Sequence, residues 1–525
     1  MSIFTTVHAA ACLLIIRALR AFLAGIASLL VLVIYRLYLH PLSKVPGPRL
    51  GAISNIWHAY HARNGRMLKL GKTLHQQYGP VVRVGPNEVW LNSKEAFTKI
   101  YGATLGYEKS DFYVALALHR PQITSTLELA FPDTLDLLGE FDMERYRLQR
   151  RLIGPIYQKR NSLKHEKAID DVLIKAVERL RDLQGAEVDL KEWMHVITVE
   201  CLTAIVLSWS PGFLRDGTDH GSGSHAYLSW RRKSVFGLFP CAEVMDAYSR
   251  TLGRLFANAW GLSFKLPPHF KALFPMLGSK TSKRIAVALR SNSPKDNRRD
   301  LASELIRLHK EKPEFTADYL KRMIMTNFGA GHETTTSTLT SALAMIGSHE
   351  EVQERNRSEL SNMTEDDEVI SFAAYTDLSY TQAAIKESLR LHPVIGMSLS
   401  RRVPPSGLHL HGHYLPPGTN VGCNPISLHR NPDIFGDDAE LFRPERWLDE
   451  SRAREMERCN LIWGGGARTC PGRSLAEMIV GKVVPTLLKE FEIEIKMPEE
   501  EEVCYYFMAM LTGVKVRFLA RGEGG

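Results

Sequence analysis

Trp463-Gly-Gly-Gly-Ala-Arg-Thr-Cys470-Pro-Gly472 is the stretch on which the reading of the whole chain turns. Consecutive glycines let a backbone turn tightly and approach a flat ligand, because no Cβ stands in the way. Arg468 lies two residues before Cys470, and Pro471-Gly472 leads into a helical pattern, RSLAEMIVGKVVPTLL. Amides at a helix start and a nearby cation both favour a thiolate over a thiol. A thiolate so placed is a ligand for a soft or borderline metal, with iron in haem the leading candidate. Taken alone, the segment fits a glycine turn around a buried cysteine equally well.

Three further segments lie outward from it. Glu387-Ser-Leu-Arg390 places two opposite charges one helical turn apart, where they can pair on one face. Most such pairs are surface ion pairs. Phe442-Arg-Pro-Glu-Arg-Trp447 supplies a second arginine, Arg446, later in the chain. Ala330-Gly-His-Glu-Thr-Thr335 puts two small residues before an acid and a hydroxyl, in the middle of a long helical pattern. Small residues make room beside a helix, and a hydroxyl that bonds back to a carbonyl slackens it. His332 reads as a helix-surface residue facing away, and Thr335 as packing.

With the cysteine segment, these motifs resemble the cytochrome P450 family. Trp463, Gly466, Arg468, Cys470 and Gly472 fall on its signature Phe-x-x-Gly-x-Arg-x-Cys-x-Gly, with Trp463 in place of Phe. The resemblance covers nearly the whole chain and is closest to the fungal microsomal branch that includes pisatin demethylase and trichodiene oxygenase. It implies haem b (iron protoporphyrin IX) with Cys470 as the axial thiolate. It implies that Glu333 and Thr334 deliver protons to bound O2, and that Glu387, Arg390 and Arg446 form a buried structural network. In Arg145 to Pro155, Tyr146 and Arg150 fall where the family binds a haem propionate, with Tyr146 replacing Trp or His; Arg401 falls on another such position. Arg145, Arg147, Arg151, Lys159 and Arg160 then suit docking of an acidic redox partner.

The implied fold is mainly α with a small β region. Apolar residues recur at three- and four-residue spacing over Lys164 to Leu183, Leu320 to Ile346, Ser379 to Leu391 and Arg473 to Phe491. Val81-Val84 and Val89-Leu91 read as strands around a Gly85-Pro86-Asn87 turn. The stretch 393–447 reads as loops, short strands and turns, and 209–225 and 291–299 as surface connections.

From Ala9 to Leu39 the chain is apolar apart from Arg17, Arg20, Arg36 and a few small polar residues, and Ala21 to Tyr35 carries no charge. That is enough for one transmembrane helix. Its length, and the lack of a small-residue cleavage site before His40, weigh against a cleaved signal peptide. Residues 1–40 are therefore expected to form an anchor, 41–50 a proline-rich hinge and 51–525 the catalytic domain. Arg36, Lys44 and Arg49 favour a cytosolic body on a single-pass protein of the endoplasmic reticulum. The triplets at Asn356 and Asn362 fit the glycosylation pattern but would stay unused there.

Composition narrows the remaining classes. The chain has 525 residues, 44% hydrophobic and 24% charged, which excludes a disordered chain, a collagen-like fibre and a multi-span membrane protein. The net charge of +8 is modest for this length and suggests a docking face or membrane surface more readily than nucleic acid. Seven sparse cysteines with no CxxC argue against a disulfide framework or structural zinc. The expected activity is monooxygenation of an apolar small molecule in fungal secondary metabolism. Electrons would come from a separate NADPH–cytochrome P450 reductase, with cytochrome b5 as a second candidate donor. By resemblance, Leu105 to Leu127, the first half of the central helix, Val394 to Leu399 and Phe507 to Thr512 line the pocket. The alternatives are a haem-thiolate isomerase or dehydratase working without O2, and a non-enzymatic membrane haem-binding protein.

Overall fold

A computed structural model describes residues 2–102, 107–117, 122–123, 129–130, 133, 135–290, 298–361 and 368–521. Leu105 and Leu127, the Asn362 triplet and most of 291–299 lie outside the described residues. The first helix, α1 (Ser2–Ile34), runs on through a π turn at Tyr35–Leu39 and stops where His40 turns extended before Pro41. Leu14–Leu39, 26 residues long, contains a window with a mean hydropathy of 2.2, none of it buried. At 1.5 Å per residue it spans about 39 Å, more than the ~30 Å of a bilayer core.

The expected hinge is packed onto the body. Leu42 and Val45 are buried in one cluster with Val81 and Val89. The Arg83 amide donates to the Pro46 carbonyl at 2.7 Å. A Cβ at Gly47 would lie 2.3 Å from the Arg83 carbonyl oxygen, so the close approach requires glycine. Arg36 donates to the Ile53 carbonyl at 2.5 Å, and Arg83 to the Arg36 carbonyl at 2.8 Å.

The body is helical with small sheets. Strands β1 (Val81–Gly85) and β2 (Glu88–Leu91) form the expected hairpin, with Val82 opposite Trp90. Further along lie β3 (Glu108–Lys109), β4 (Val188–Asp189), β5 (Arg401–Arg402), β6 (Asn420–Gly422), β7 (Phe491–Lys496) and β8 (Lys515–Ala520). Among the described residues one sheet has the order β1-β2-β6-β5-β3, and a second has β7-β8-β4. The first sheet brings Lys109 and Arg401 side by side, as register partners across β3 and β5.

The helices that shape the interior are α2 (Met143–Ile153), α3 (Leu190–Leu207), α4 (Ser222–Gly237), α5 (Ala317–Gly347), α6 (Ser379–Leu391) and α7 (Arg473–Glu490). All four expected helical stretches are helices. α5 starts where the Thr316 hydroxyl accepts the Tyr319 amide at 3.2 Å. Its second half is buried despite a run of hydroxyl residues, because they bond back along the helix. Thr336 reaches the His332 carbonyl at 2.6 Å, Thr338 that of Thr334 at 3.0 Å and Thr340 that of Thr336 at 2.8 Å. These three hydroxyls are thus satisfied locally, Ser337 donates across to the Ala509 carbonyl at 2.7 Å, and the helix can cross the core.

One reading needs correction, and another gains a physical reason. Residues 209–225 are not merely a surface connection: Phe213, Leu214 and Asp219 are buried, and α4 begins at Ser222. Asp219 accounts for part of this, since its carboxylate meets His195 Nδ1 of α3 at 2.8 Å. Asn356 is also buried and donates to the Val352 carbonyl at 2.7 Å, which closes it to glycosylation.

Candidate active site

The cysteine loop is shaped by glycine. Gly464 and Gly466 adopt φ of 78° and 58°. A Cβ on Gly466 would sit 2.1 Å from the Tyr101 carbonyl oxygen. The Cys470 amide donates to the Trp463 carbonyl at 2.9 Å, and α7 begins three residues later. Cys470 is enclosed by protein on nearly every side yet keeps accessible surface, so its thiol faces an interior space and not bulk water. Burial pushes the thiol up, while the Gly472 amide and the charges of Arg150 and Arg473 oppose that.

Arg468 is not the cation beside the sulfur. Its guanidinium lies 4.4 Å over the Tyr146 ring and donates to the Glu140 and Phe141 carbonyls at 2.7 and 3.3 Å. Its Nε has no acceptor. The Tyr146 hydroxyl is engaged as well, donating to the Ala467 carbonyl at 3.1 Å. Arg401 is buried and donates to the Ser400 carbonyl and, at 3.3 Å, to the Tyr113 hydroxyl.

Lys109 completes a cluster that sequence reasoning missed. It is buried and donates to the Leu137 and Leu138 carbonyls at 3.0 and 2.6 Å. Burial, then repulsion from Arg468 and Arg401, holds it well below the ordinary lysine range. Arg468 is lowered to about 10 by burial first and Arg401 second. Glu140, a nearby carboxylate, is held by Arg145 at 2.8 Å, so Arg145 is less free for partner docking than expected. Arg147, Arg151, Lys159 and Arg160 are exposed. Buried cations that repel one another around an unsatisfied guanidinium N–H fit a dianionic group such as the paired propionates of haem.

Across the interior, Ala330 and Thr334 keep accessible surface on a stretch of α5 whose Phe328, His332, Glu333 and Thr335 are buried. Burial raises the Tyr157 hydroxyl, nearby Cys470 adds to that, and the hydroxyl donates to Asn327 Oδ1 at 2.9 Å. Tyr157 therefore ties the surroundings of Cys470 to α5 at Asn327. Thr334 Oγ1 donates to the Ala330 carbonyl at 2.6 Å. Gly331 has another task than making room here: its missing Cβ would meet Leu202 of α3 at 3.2 Å.

Glu333 points away from Thr334's face. It accepts the indole N–H of Trp230 on α4, and its Oε1 has no partner. Burial raises it to about 7 against the opposing pull of Trp230, Lys233 and Lys191. His332 turns away too, but inward: it is a core residue packed edge-on to His195 and Phe274, and burial lowers it to about 3. The segments expected to line a pocket pair with each other, Gly396 donating to Phe507 at 2.9 Å and Ala509 to Val394 at 2.8 Å. Phe507 through Leu511 are buried, much of that in packing.

Glu387 gathers a network with no solvent access. Arg390 meets both its oxygens at 2.8 Å, Arg446 Nε reaches it at 2.7 Å and Trp447 Nε1 at 2.9 Å. Remaining guanidinium N–H groups go to the carbonyls of His429, Ala439, Leu441 and Phe435, and Arg446 also reaches the Asp438 carboxylate at 3.0 Å.

Comparison with known proteins agrees with this arrangement. The cytochrome P450 family model matches residues 45–516. The cytochrome P450 monooxygenase sdnT of Sordaria araneosa is 59% identical over 523 residues, covering 94% of either chain. The cytochrome P450 monooxygenase gsfF of Penicillium aethiopicum is 29% identical over 504 residues, 93% of this chain and 95% of that one. A pisatin demethylase of Fusarium vanettenii is 27% identical over 486 residues, 90% of each. A family match across this much of the chain, with a monooxygenase 59% identical to it, makes this protein a fungal member of the cytochrome P450 family and a monooxygenase.

Proposed function

We propose that this chain binds haem b through Cys470 and inserts one oxygen atom of O2 into an apolar small molecule, in fungal secondary metabolism. The observation that carries the reading is Cys470 itself, accessible within the fold on a loop that only glycine can shape. Haem held by a thiolate supplies the redox chemistry that splits dioxygen. The rest falls to the chain. Lys109, Arg401 and Arg468 hold the propionates, and Arg150, whose charge reaches both Cys470 and Tyr146, lies on the sulfur side. Trp463, Gly466 and Gly472 form the cradle of the sulfur.

Glu333, raised to about 7, can hold or release a proton at neutral pH. It faces Trp230, so a proton reaches Thr334 Oγ1 only through intervening water. An acid poised near neutrality one residue along the helix from that hydroxyl supports an oxygenase over an isomerase or a passive haem carrier.

Electrons come from an NADPH–cytochrome P450 reductase, with cytochrome b5 as an alternative donor, docking near the exposed Arg147, Arg151, Lys159 and Arg160. Residues 1–40 anchor the chain once in the endoplasmic reticulum membrane, and 41–50 strap the anchor to a cytosolic catalytic body, 51–525. The test is the difference spectrum of dithionite-reduced protein on adding carbon monoxide. A strongly red-shifted Soret band is expected; a band at the position of histidine-ligated haem, or no haem in folded protein, overturns the proposal.

A further inference from the structure

The Trp230 ring stacks on Phe507 with centroids 5.7 Å apart, and Phe507 packs on Phe112 at 5.3 Å. This aromatic wall joins α5 at Glu333, one residue from Thr334. Over its Trp230 end lies the ammonium of Lys233, 4.4 Å from the ring centroid. Lys233 sits deep in the chain among the charges of Glu333, Asp136 and Glu243, which come from three separate parts of the fold. It nevertheless keeps accessible surface, so it borders interior space as Cys470 does. Among the described residues it has neither a hydrogen bond nor an ion pair. Lys191 of α3 lies near the same carboxylate, 5.0 Å from the Tyr227 ring and equally without a hydrogen-bonded partner.

Lys233 and Lys191 flank Glu333, and none of the carboxylates around them, Asp136 and Glu243 at the first and Asp219, Asp189 and Glu192 at the second, comes within ion-pair distance of either ammonium among the described residues. An aromatic face compensates a buried cation only in part. Burial holds both lysines below their ordinary range, and a bound anion would reverse that. We propose that Lys233, seated on Trp230, binds a carboxylate of the substrate, so that the substrate is an apolar small molecule with an acidic end. This rests on the haem-thiolate reading above and gives it a substrate class. The carboxylate would be fixed at the Trp230 end of the wall while the apolar body extends toward Thr334. Its negative charge would also favour the protonated form of Glu333.

The test titrates full-length holoenzyme by calorimetry with two matched pairs, 1-adamantanecarboxylic acid with 1-adamantanemethanol and dodecanoic acid with 1-dodecanol. Wild type is expected to bind at least one acid roughly ten- to a hundredfold more tightly than its alcohol. Lys233→Met removes that preference while alcohol affinity stays, Lys233→Arg keeps most of it, and Lys233→Gln repeats the loss should the methionine variant fold poorly. No acid preference in wild type for either pair, or a preference that survives both neutral variants, overturns the proposal. The carbon monoxide spectrum is recorded on the same samples. A missing red-shifted band in wild type overturns the haem-thiolate reading alone, because calorimetry registers acid preference whatever ligates the iron.

Discussion

Arg468 lies over the ring of Tyr146, its Cζ 4.4 Å from the centroid, and so turns from its near neighbour Cys470 toward Lys109 and Arg401. A guanidinium placed there serves an anion at the edge of the site and not the sulfur. Arg468→Met should therefore lower haem affinity about tenfold or more without moving the carbon monoxide band of the haem that remains. Apo-protein should gain thermal stability, since a half-buried cation repelled by Arg401 is gone. A shifted band at unchanged haem content would return Arg468 to the thiolate.

Glu333 makes stability depend on pH in an unusual direction. Its value in the fold, about 7, lies above its ordinary 4.5, so the native state holds the proton more tightly than the unfolded chain. The favourable contribution is complete below about 4.5 and is lost as pH rises through about 7, amounting to roughly 3 kcal/mol. Glu333→Gln does not titrate, so its unfolding midpoint should gain on wild type steadily from pH 5 to pH 8. A pH-independent difference would refute the burial argument.

Thr334→Ala removes a hydroxyl that bonds back to Ala330 at 2.6 Å and faces the interior space. Product formed per NADPH consumed, measured with reductase present, should fall about tenfold, with peroxide or water taking up the electrons. Unchanged coupling would take Thr334 out of proton delivery.

Gly466→Ala meets two obstacles together, a φ of 58° and a carbonyl oxygen 2.1 Å from the new methyl. A cost of about 2 kcal/mol or more is expected, read as lost haem incorporation and a lower melting temperature. Gly472→Ala, where a Cβ would meet only Cys470 Sγ at 4.0 Å, should be far milder.

Glu387→Ala leaves two guanidiniums buried without their shared carboxylate. Destabilisation of about 3–5 kcal/mol is expected by chemical denaturation, enough to abolish soluble holoprotein. Recovery of normal stability would mean that the surrounding carbonyls, with Asp438 beside Arg446, suffice.

Features carried by close spacing were readable from sequence. The glycines around Cys470, the i,i+3 pair of Glu387 and Arg390 and the long patterns of α5 and α7 each reside within one stretch of chain. Features created by distant contact were not. Lys109 looks like any loop lysine until β3 sets it beside Arg401, and Trp230 sits in a basic run, SWRRKS, that reads as solvated. His332 was misplaced because helical periodicity tells which residues share a face, not which faces α3 covers. What Gly331 makes room for stayed open for the same reason, since only the approach of Leu202 reveals it.

The junction at Arg36 and Arg83 has a consequence at a larger scale. A leash lets its load tumble, whereas a bracket transmits every angle. With Arg36 bonded to Ile53 and Arg83 to Arg36, and with Leu42 sealed beneath them, the first helix and the body are bracketed. Whatever inclines the helix inclines the body with it, so the orientation of the space beside Cys470 is inherited from α1. A few glycines inserted after Leu39 would turn the bracket into a leash without altering a single residue around Cys470.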